Sequence, residues 1–229
     1  MSVIPTVSVE AGGAAEHCLP LVHRVGIFGG AFDPPHMGHH ALAQSALEQL
    51  GLDVLHILPT GQAWHKSRSL TPAMHRVAMC ELAFDDLPKV HIDSREIERQ
   101  GASYTVDTLL ELSEEYPGVA LYLIIGADQL LAFKHWVRWP AILDLATLAV
   151  AQRSTQDPTR LAPAKTAPTD LSSVDVPFVA LKMPLFNVSA TAIRARLSSV
   201  NRGDADLDHL LSADVASYIS THSLYQDPK

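Results

Sequence analysis

Residues 24–59 read RVGIFGGAFDPPHMGHHALAQSALEQLGLDVLHILP. Arg24 to Gly29 is a short apolar run that ends in glycines, the pattern of a buried strand. Gly38 to Leu50 places Leu42, Ala46, Leu47 and Leu50 on one helical face, and Gly51 supplies a residue that tolerates the left-handed stop. Val54 to Leu58 is a second apolar run, closed by Pro59. Strand, loop, helix and strand in this order predict a parallel crossover unit.

The same alternation continues outward. Thr71 and Pro72 suit an N-cap and a first helical position, for a helix running to about Phe84. Lys89–Asp93 predicts a strand and Ser103–Glu115 a helix with Val106, Leu109, Leu110 and Leu112 as its apolar stripe. Val119–Ile125 is the most apolar strand and ends at Gly126. A short helix is expected from near Asp128, and a second over Trp136–Asp144. Strands follow at Thr147–Ala151 and Phe178–Lys182, and helices at Val188–Leu197 and Ala213–Ser220. The expected fold is α/β: a Rossmann-like, doubly wound parallel sheet with helices on both faces, in a single domain. Residues 1–22 hold no period and read as a flexible extension to the domain of residues 23–229, within which 154–177, rich in Pro, Thr, Ser and Asp, reads as a mobile loop.

Composition narrows the function. Hydrophobic residues are 47% of the 229 and charged residues 18%, enough for a packed core and unlike a disordered chain. The formal charge of -8 argues against a nucleic-acid binder or a binder of anionic membranes. The longest apolar run, Val119–Ile125, is far short of the roughly 18–20 residues that span a bilayer. Cys18 and Cys80 are the only thiols, no disulfide framework, and the first 20 residues carry no secretory pattern. A reducing, cytoplasmic location is expected. An oligomer is compatible with the sequence but not indicated by it.

In parallel sheets of this kind ligands bind beyond the carboxyl ends of strands. Three such loops carry chemistry. In Gly29–His39, glycines let backbone N–H groups approach a ligand, and the following helix start offers unpaired donors and a positive dipole end, which suits phosphate. His36 and His39 are three apart and therefore neighbours on the helix surface. Gly38 between them removes a side chain that would block a phosphate chain. The string is neither a Walker loop nor a G-x-G-x-x-G dinucleotide fingerprint. Two other readings of the histidines stay open at this point: a ligand-free helix cap, and a metal site, although no third ligand lies nearby.

GGAFDPPHMGH resembles the G-x-F-D-P-x-H-x-G-H signature of the nucleotidyltransferase superfamily. There the two histidines bind the triphosphate of ATP or CTP. Asn187–Arg194 (NVSATAIR) resembles the second signature, I-S-[ST]-T-x-[IL]-R, with Val188 in place of isoleucine. Leu123–Asp128 (LIIGAD), Ser103–Leu109 (SYTVDTL) and Phe133–Trp136 (FKHW) resemble segments of one family within it, bacterial nicotinate mononucleotide adenylyltransferase. His65–Lys66 matches that family's P-P-H-[KR] loop without its prolines, and Val137 stands where an aromatic residue is common.

The resemblance implies adenylyl transfer from ATP to nicotinate mononucleotide, giving nicotinate adenine dinucleotide and pyrophosphate, with Mg²⁺ accompanying ATP and no protein side chains as metal ligands. It implies catalytic roles for His36, His39 and Arg194. It implies ATP binding by Gly29, Gly30, Phe32, Gly38, Ile124, Gly126, Asp128 and Ser189 together with those three. It implies acceptor binding by His65, Lys66, Tyr104, Thr105, Trp136 and the backbone N–H of Val137, with Trp136 stacked on the pyridine ring beside an N-cap threonine, Thr105. The acceptor phosphate is already an anionic nucleophile, so the chemistry needs positioning and charge stabilisation, not a general base. Competing readings are a same-fold enzyme for the amide mononucleotide or another phosphate acceptor, a non-catalytic nucleotide sensor, and a metal-binding module.

Overall fold

The computed structural model describes residues 22–61, 70–153, 171, 174–183, 188–198 and 209–226. Its centre is a six-stranded parallel sheet of β1 (Arg24–Gly30), β2 (Val54–Pro59), β3 (Val90–Ile92), β4 (Ala120–Gly126), β5 (Ala146–Arg153) and β6 (Val179–Met183), in the order β3-β2-β1-β4-β5-β6. This is the doubly wound order, which reverses between β1 and β4 and opens a crevice there. Val25 lies level with Val54 on one side and Leu121 on the other.

Alternation of side chains along the strands builds two cores. Val25, Ile27, Leu121, Leu123, Leu148 and Val150 face one layer, filled by α4 (Thr105–Glu115), α5 (Ala127–Ala132) and α6 (Trp139–Leu145) through Val106, Leu109, Leu112, Leu130 and Ile142. Phe28, Leu55, Ile57, Ile124 and Ala149 face the other, filled by α1 (Met37–Leu50) and α2 (Ala73–Ala83). A third cluster joins Met79 of α2 to Ile193 of α7 (Ala190–Ser198) and to Leu210, Leu211, Val215 and Ile219 around α8 (Ala213–Thr221). The doubly wound architecture agrees with the expectation from sequence. Among the described residues no helix is long and apolar enough to cross a membrane.

Differences are local. A one-turn helix, α3 (Arg95–Glu98), was not expected. The helix expected from Trp136 starts at Trp139 instead, after a 3-10 turn at Phe133–His135 and a left-handed Arg138 (φ 53°), with Pro140 in its first turn, where a missing N–H costs nothing. The N-cap of α2 is Pro72, not Thr71, and that of α4 is Tyr104, not Thr105. Residues 154–170, 172 and 173 of the expected mobile loop lie outside the described residues; Leu171 and Val176 are buried in the first core.

Gly26 marks where β1 must stay bare. A Cβ there would lie 2.5 Å from Leu52 Cδ1, 2.8 Å from Leu55 Cδ1 and 3.1 Å from Ile124 Cδ1. Gly26→Ala therefore overpacks the second core and lowers unfolding free energy by about 1–3 kcal/mol, to be read from urea denaturation of the two proteins.

Candidate functional site

The carboxyl end of β1 delivers the chain into a loop and then into α1. Gly29, and Gly126 at the end of neighbouring β4, both face open space: a Cβ at either would meet no atom within 4 Å. The switch point of the sheet is thus lined by bare backbone that a ligand can approach.

Phe32 turns the loop with φ 45°, a conformation that costs a bulky residue about 1–2 kcal/mol. Its ring is 1% exposed and packs edge-on against Phe28, His39 and Phe84. Burial of the ring offsets the strained backbone. Phe32 shapes the loop from inside the core and does not present its ring to a ligand. Ile124 likewise has its side chain fully buried in the second core, so only its backbone can face a ligand.

His36 and His39 come together as the sequence spacing predicts. Their rings stack with centroids 3.7 Å apart and an interplanar angle of 14°. His36 is the N-cap residue of α1, and its backbone N–H donates to His39 Nδ1 at 3.2 Å. Accepting at Nδ1 fixes His39 as a neutral ring with its proton on Nε2. Burial lowers the His36 pKa from 6.5 to about 4. Burial, and then the charge of His36, hold His39 well below the ordinary range. His36 Nδ1 is buried and has no hydrogen-bond partner among the described residues. Both imidazoles rest neutral, close together and poor in solvation.

Gly38 serves a different end from the expected one. A Cβ there would lie 3.0 Å from Val188 Cγ1 and 3.2 Å from His36 Nδ1. The space belongs to the protein: it lets the residue before Ser189 close against the helix start. Ser189 Oγ accepts from the Ala192 N–H at 3.2 Å, the N-cap geometry expected of it. Arg194, on the same helix, donates from Nη1 to the carbonyl of Asp33 at 2.6 Å and from Nη2 to Thr191 Oγ1 at 3.1 Å. The two phosphate motifs, far apart in sequence, are therefore in contact.

The segments expected to hold the acceptor ring also converge. Tyr104 and Trp136 both pack, half-buried, against the first core. Arg138 Nη1 reaches Asp107 Oδ1 of α4 at 4.0 Å, tying the residue after Val137 to the helix that Thr105 begins. Val137 is 41% exposed. Asp128 is exposed in the first turn of α5, whose N-cap is Gly126. His65 and Lys66 lie outside the described residues.

The sequence reading passed over a supporting set. Asp33, 1% exposed, accepts from Tyr225 Oη at 2.7 Å and from the Thr71 N–H at 3.4 Å. Arg76, 2% exposed, donates to Thr71 O at 2.9 Å and to Ala31 O at 3.0 Å. On the acceptor side Glu96 accepts Thr108 Oγ1 on its carboxylate and Ser103 Oγ on its carbonyl, each at 3.1 Å, and that carbonyl sits where a side chain on Gly61 would go. Arg76 did leave a signal: it shares a helical face with Met79 and Cys80, and a charge on an apolar face asks for a buried partner.

Among the described residues no group of three or more His, Cys, Asp or Glu side chains is arranged to hold a metal ion. Both Asp33 carboxylate oxygens face protein donors.

The buried imidazole gives a pH signature. The folded pKa of His36 lies below its unfolded value, so its neutral burial favours the fold above about pH 6.5, and that contribution disappears as pH falls through about 4. The loss is on the order of 3 kcal/mol. His36→Gln should flatten the acid limb of a denaturation-versus-pH curve, and in NMR titrations the His36 midpoint of the native protein should rise when inorganic triphosphate is added.

Known proteins resemble this chain in sequence and in fold. The Cytidylyltransferase-like family model matches residues 27–196. The chain is 47% identical over 209 residues to the "Probable nicotinate-nucleotide adenylyltransferase" of Albidiferax ferrireducens, covering 89% of this chain and 98% of that one. It is 40% identical over 206 residues to the protein of the same name in Methylibium petroleiphilum, covering 90% of this chain and 94% of the other. Plasmodium falciparum nicotinic acid mononucleotide adenylyltransferase, solved complexed with NaAD, shares the fold with TM-score 0.71 at 17% identity, over 89% of this chain and 97% of that chain. Its structure complexed with APC gives a TM-score of 0.70 at 16% identity over the same shares. The chain belongs to the Cytidylyltransferase-like family and, within it, to the nicotinate-nucleotide adenylyltransferases.

Proposed function

We propose that this chain transfers the adenylyl group of ATP to nicotinate mononucleotide, releasing pyrophosphate and forming nicotinate adenine dinucleotide. The observation that carries the reading is the stacked, neutral, buried pair His36–His39 in contact with the Ser189–Arg194 helix start, at the switch point of the sheet.

The acceptor phosphate oxygen attacks the α-phosphorus of ATP, a new P–O bond forms, and the α–β bridging bond breaks with its electron pair leaving on pyrophosphate. Negative charge grows on the leaving oxygens. In this reading the His39 Nε2–H donates to those oxygens, His36 takes up a proton or a hydrogen bond as the polyanion raises its basicity, and Arg194 exchanges the Asp33 carbonyl for phosphate. Magnesium arriving with ATP would supply further charge neutralisation at the phosphates. Gly29 and Gly126 let the nucleotide lie close to the backbone, while at Gly30 the space a Cβ would take is closed by the Phe32 ring at 3.0 Å, so Gly30 faces the nucleotide through its backbone alone.

Tyr104, Thr105, Trp136 and Val137 form the acceptor-ring side, with Asp128 suited to the adenosine ribose, and His65 and Lys66 suited to the acceptor phosphate. A carboxylate is favoured over an amide where backbone N–H groups are the donors. Residues 23–229 act as one catalytic domain, and the reduced, buried Cys80 suits the cytoplasm.

A pyrophosphate-release assay with ATP, Mg²⁺ and each mononucleotide tests this reading. The acid should be the better acceptor, and absence of turnover with both would refute it. His39→Ala should lower kcat by about 10²–10³-fold in a protein that stays folded at the assay temperature, at a stability cost of about 1–3 kcal/mol. Parallel loss of activity and fold would make the histidine structural.

A further inference from the structure

We infer that Tyr225 is a positioning residue for the triphosphate grip, acting through the buried Asp33 carboxylate. This rests on the adenylyl-transfer reading of the same site.

Asp33 lies between the glycines and the histidines of the β1–α1 loop, with both carboxylate oxygens and its carbonyl engaged. Its Oδ1 accepts from Tyr225 Oη at 2.7 Å across 192 residues of sequence, and its Oδ2 accepts from the Thr71 N–H at 3.4 Å. Its carbonyl accepts from Arg194 at 2.6 Å. The loop on either side is held as well. Arg76 bridges Ala31 O and Thr71 O, and the Met37 N–H donates to Leu210 O at 2.9 Å. The segment that packs around α7 and α8 thus reaches the phosphate loop at three points: Arg194, Leu210 and Tyr225.

A carboxylate this buried keeps its place only while its partners stay. Tyr225 has φ 60°, a left-handed conformation that a tyrosine adopts at a cost. Its hydroxyl is turned to the loop, and burial together with the Asp33 charge pushes its pKa upward, so it stays a donor. Removing the hydroxyl takes from Oδ1 a short donor at 2.7 Å. Asp33 then shifts, and with it the carbonyl on which Arg194 is parked and the peptide that leads to His36. On the acceptor side, Tyr104 and Trp136 pack against the first core, whereas Tyr225 packs against the third cluster. The defect should therefore appear in ATP and spare the mononucleotide.

The test is Tyr225→Phe in the full chain, with KM measured separately for ATP and for nicotinate mononucleotide, and ATP binding followed by calorimetry. The expected result is a KM for ATP about tenfold higher, with matching weaker calorimetric binding and an acceptor KM within about twofold of wild type. Adding Asp33→Asn to Tyr225→Phe should produce no further loss beyond the worse single variant, since both act through one contact. Arg76→Lys, which keeps a charge but loses the two-carbonyl fork, should show the same ATP-selective defect. Unchanged constants, equal rises in both KM values with a lowered melting temperature, additive double-variant losses, or failure of both Tyr225→Phe and Arg76→Lys to fold would each overturn the inference. An inactive wild type would refute the adenylyl-transfer reading instead, and the calorimetric comparison of ATP binding would still decide the role of Tyr225.

Discussion

A carboxylate withdrawn from water must find donors, or the fold around it gives way. Asp33 is 1% exposed and is met by a phenol from one end of the chain and a backbone N–H from the start of α2. That contact joins three pieces that no continuous secondary structure connects: the loop after β1, the α2 entrance, and the segment packed on α2 through Val215 and Ile219. The sheet brings the loop to the crevice. The buried polar contacts decide its shape once it is there.

The electrostatics of the site follow from the same economy of water. Two imidazoles stacked at 3.7 Å and shielded from solvent do not carry two protons, so the resting grip is close to uncharged. The guanidinium of Arg194 is held on a backbone carbonyl, and that of Arg76 is buried against the carbonyls of Ala31 and Thr71 with the Asp33 carboxylate beside it. Such a site pays little self-repulsion when empty and gains most when a polyanion enters. This is consistent with an acidic chain of net charge -8 that handles highly charged ligands through one local spot, not through a basic surface.

Much of the fold was legible because its signals are local. Val119–Ile125 could only be a strand buried on both faces, and β4 spans Ala120–Gly126 at the centre of the sheet. The histidine pair was legible because a three-residue spacing fixes two side chains on one helical turn. What stayed hidden was partnership across distance. Nothing in the sequence around Tyr225 announces Asp33, because a hydrogen bond between residues 192 apart leaves no period. Motif membership also blurred roles. Phe32 and Ile124 belong to signatures of ligand sites, yet their side chains fill the core, and Gly38 is small for the sake of Val188. The one-turn α3 escaped because four residues are too few to show a helical repeat.

The reach of Tyr225 back to the first loop has a consequence for how the chain comes into being. On a ribosome the histidine-bearing turn emerges long before the tyrosine that steadies it, and the first crossover unit can settle against α1 in the interval. The pinned shape of that turn is then acquired late: a partly made chain can own the first strands of its sheet before the contact that closes the loop exists.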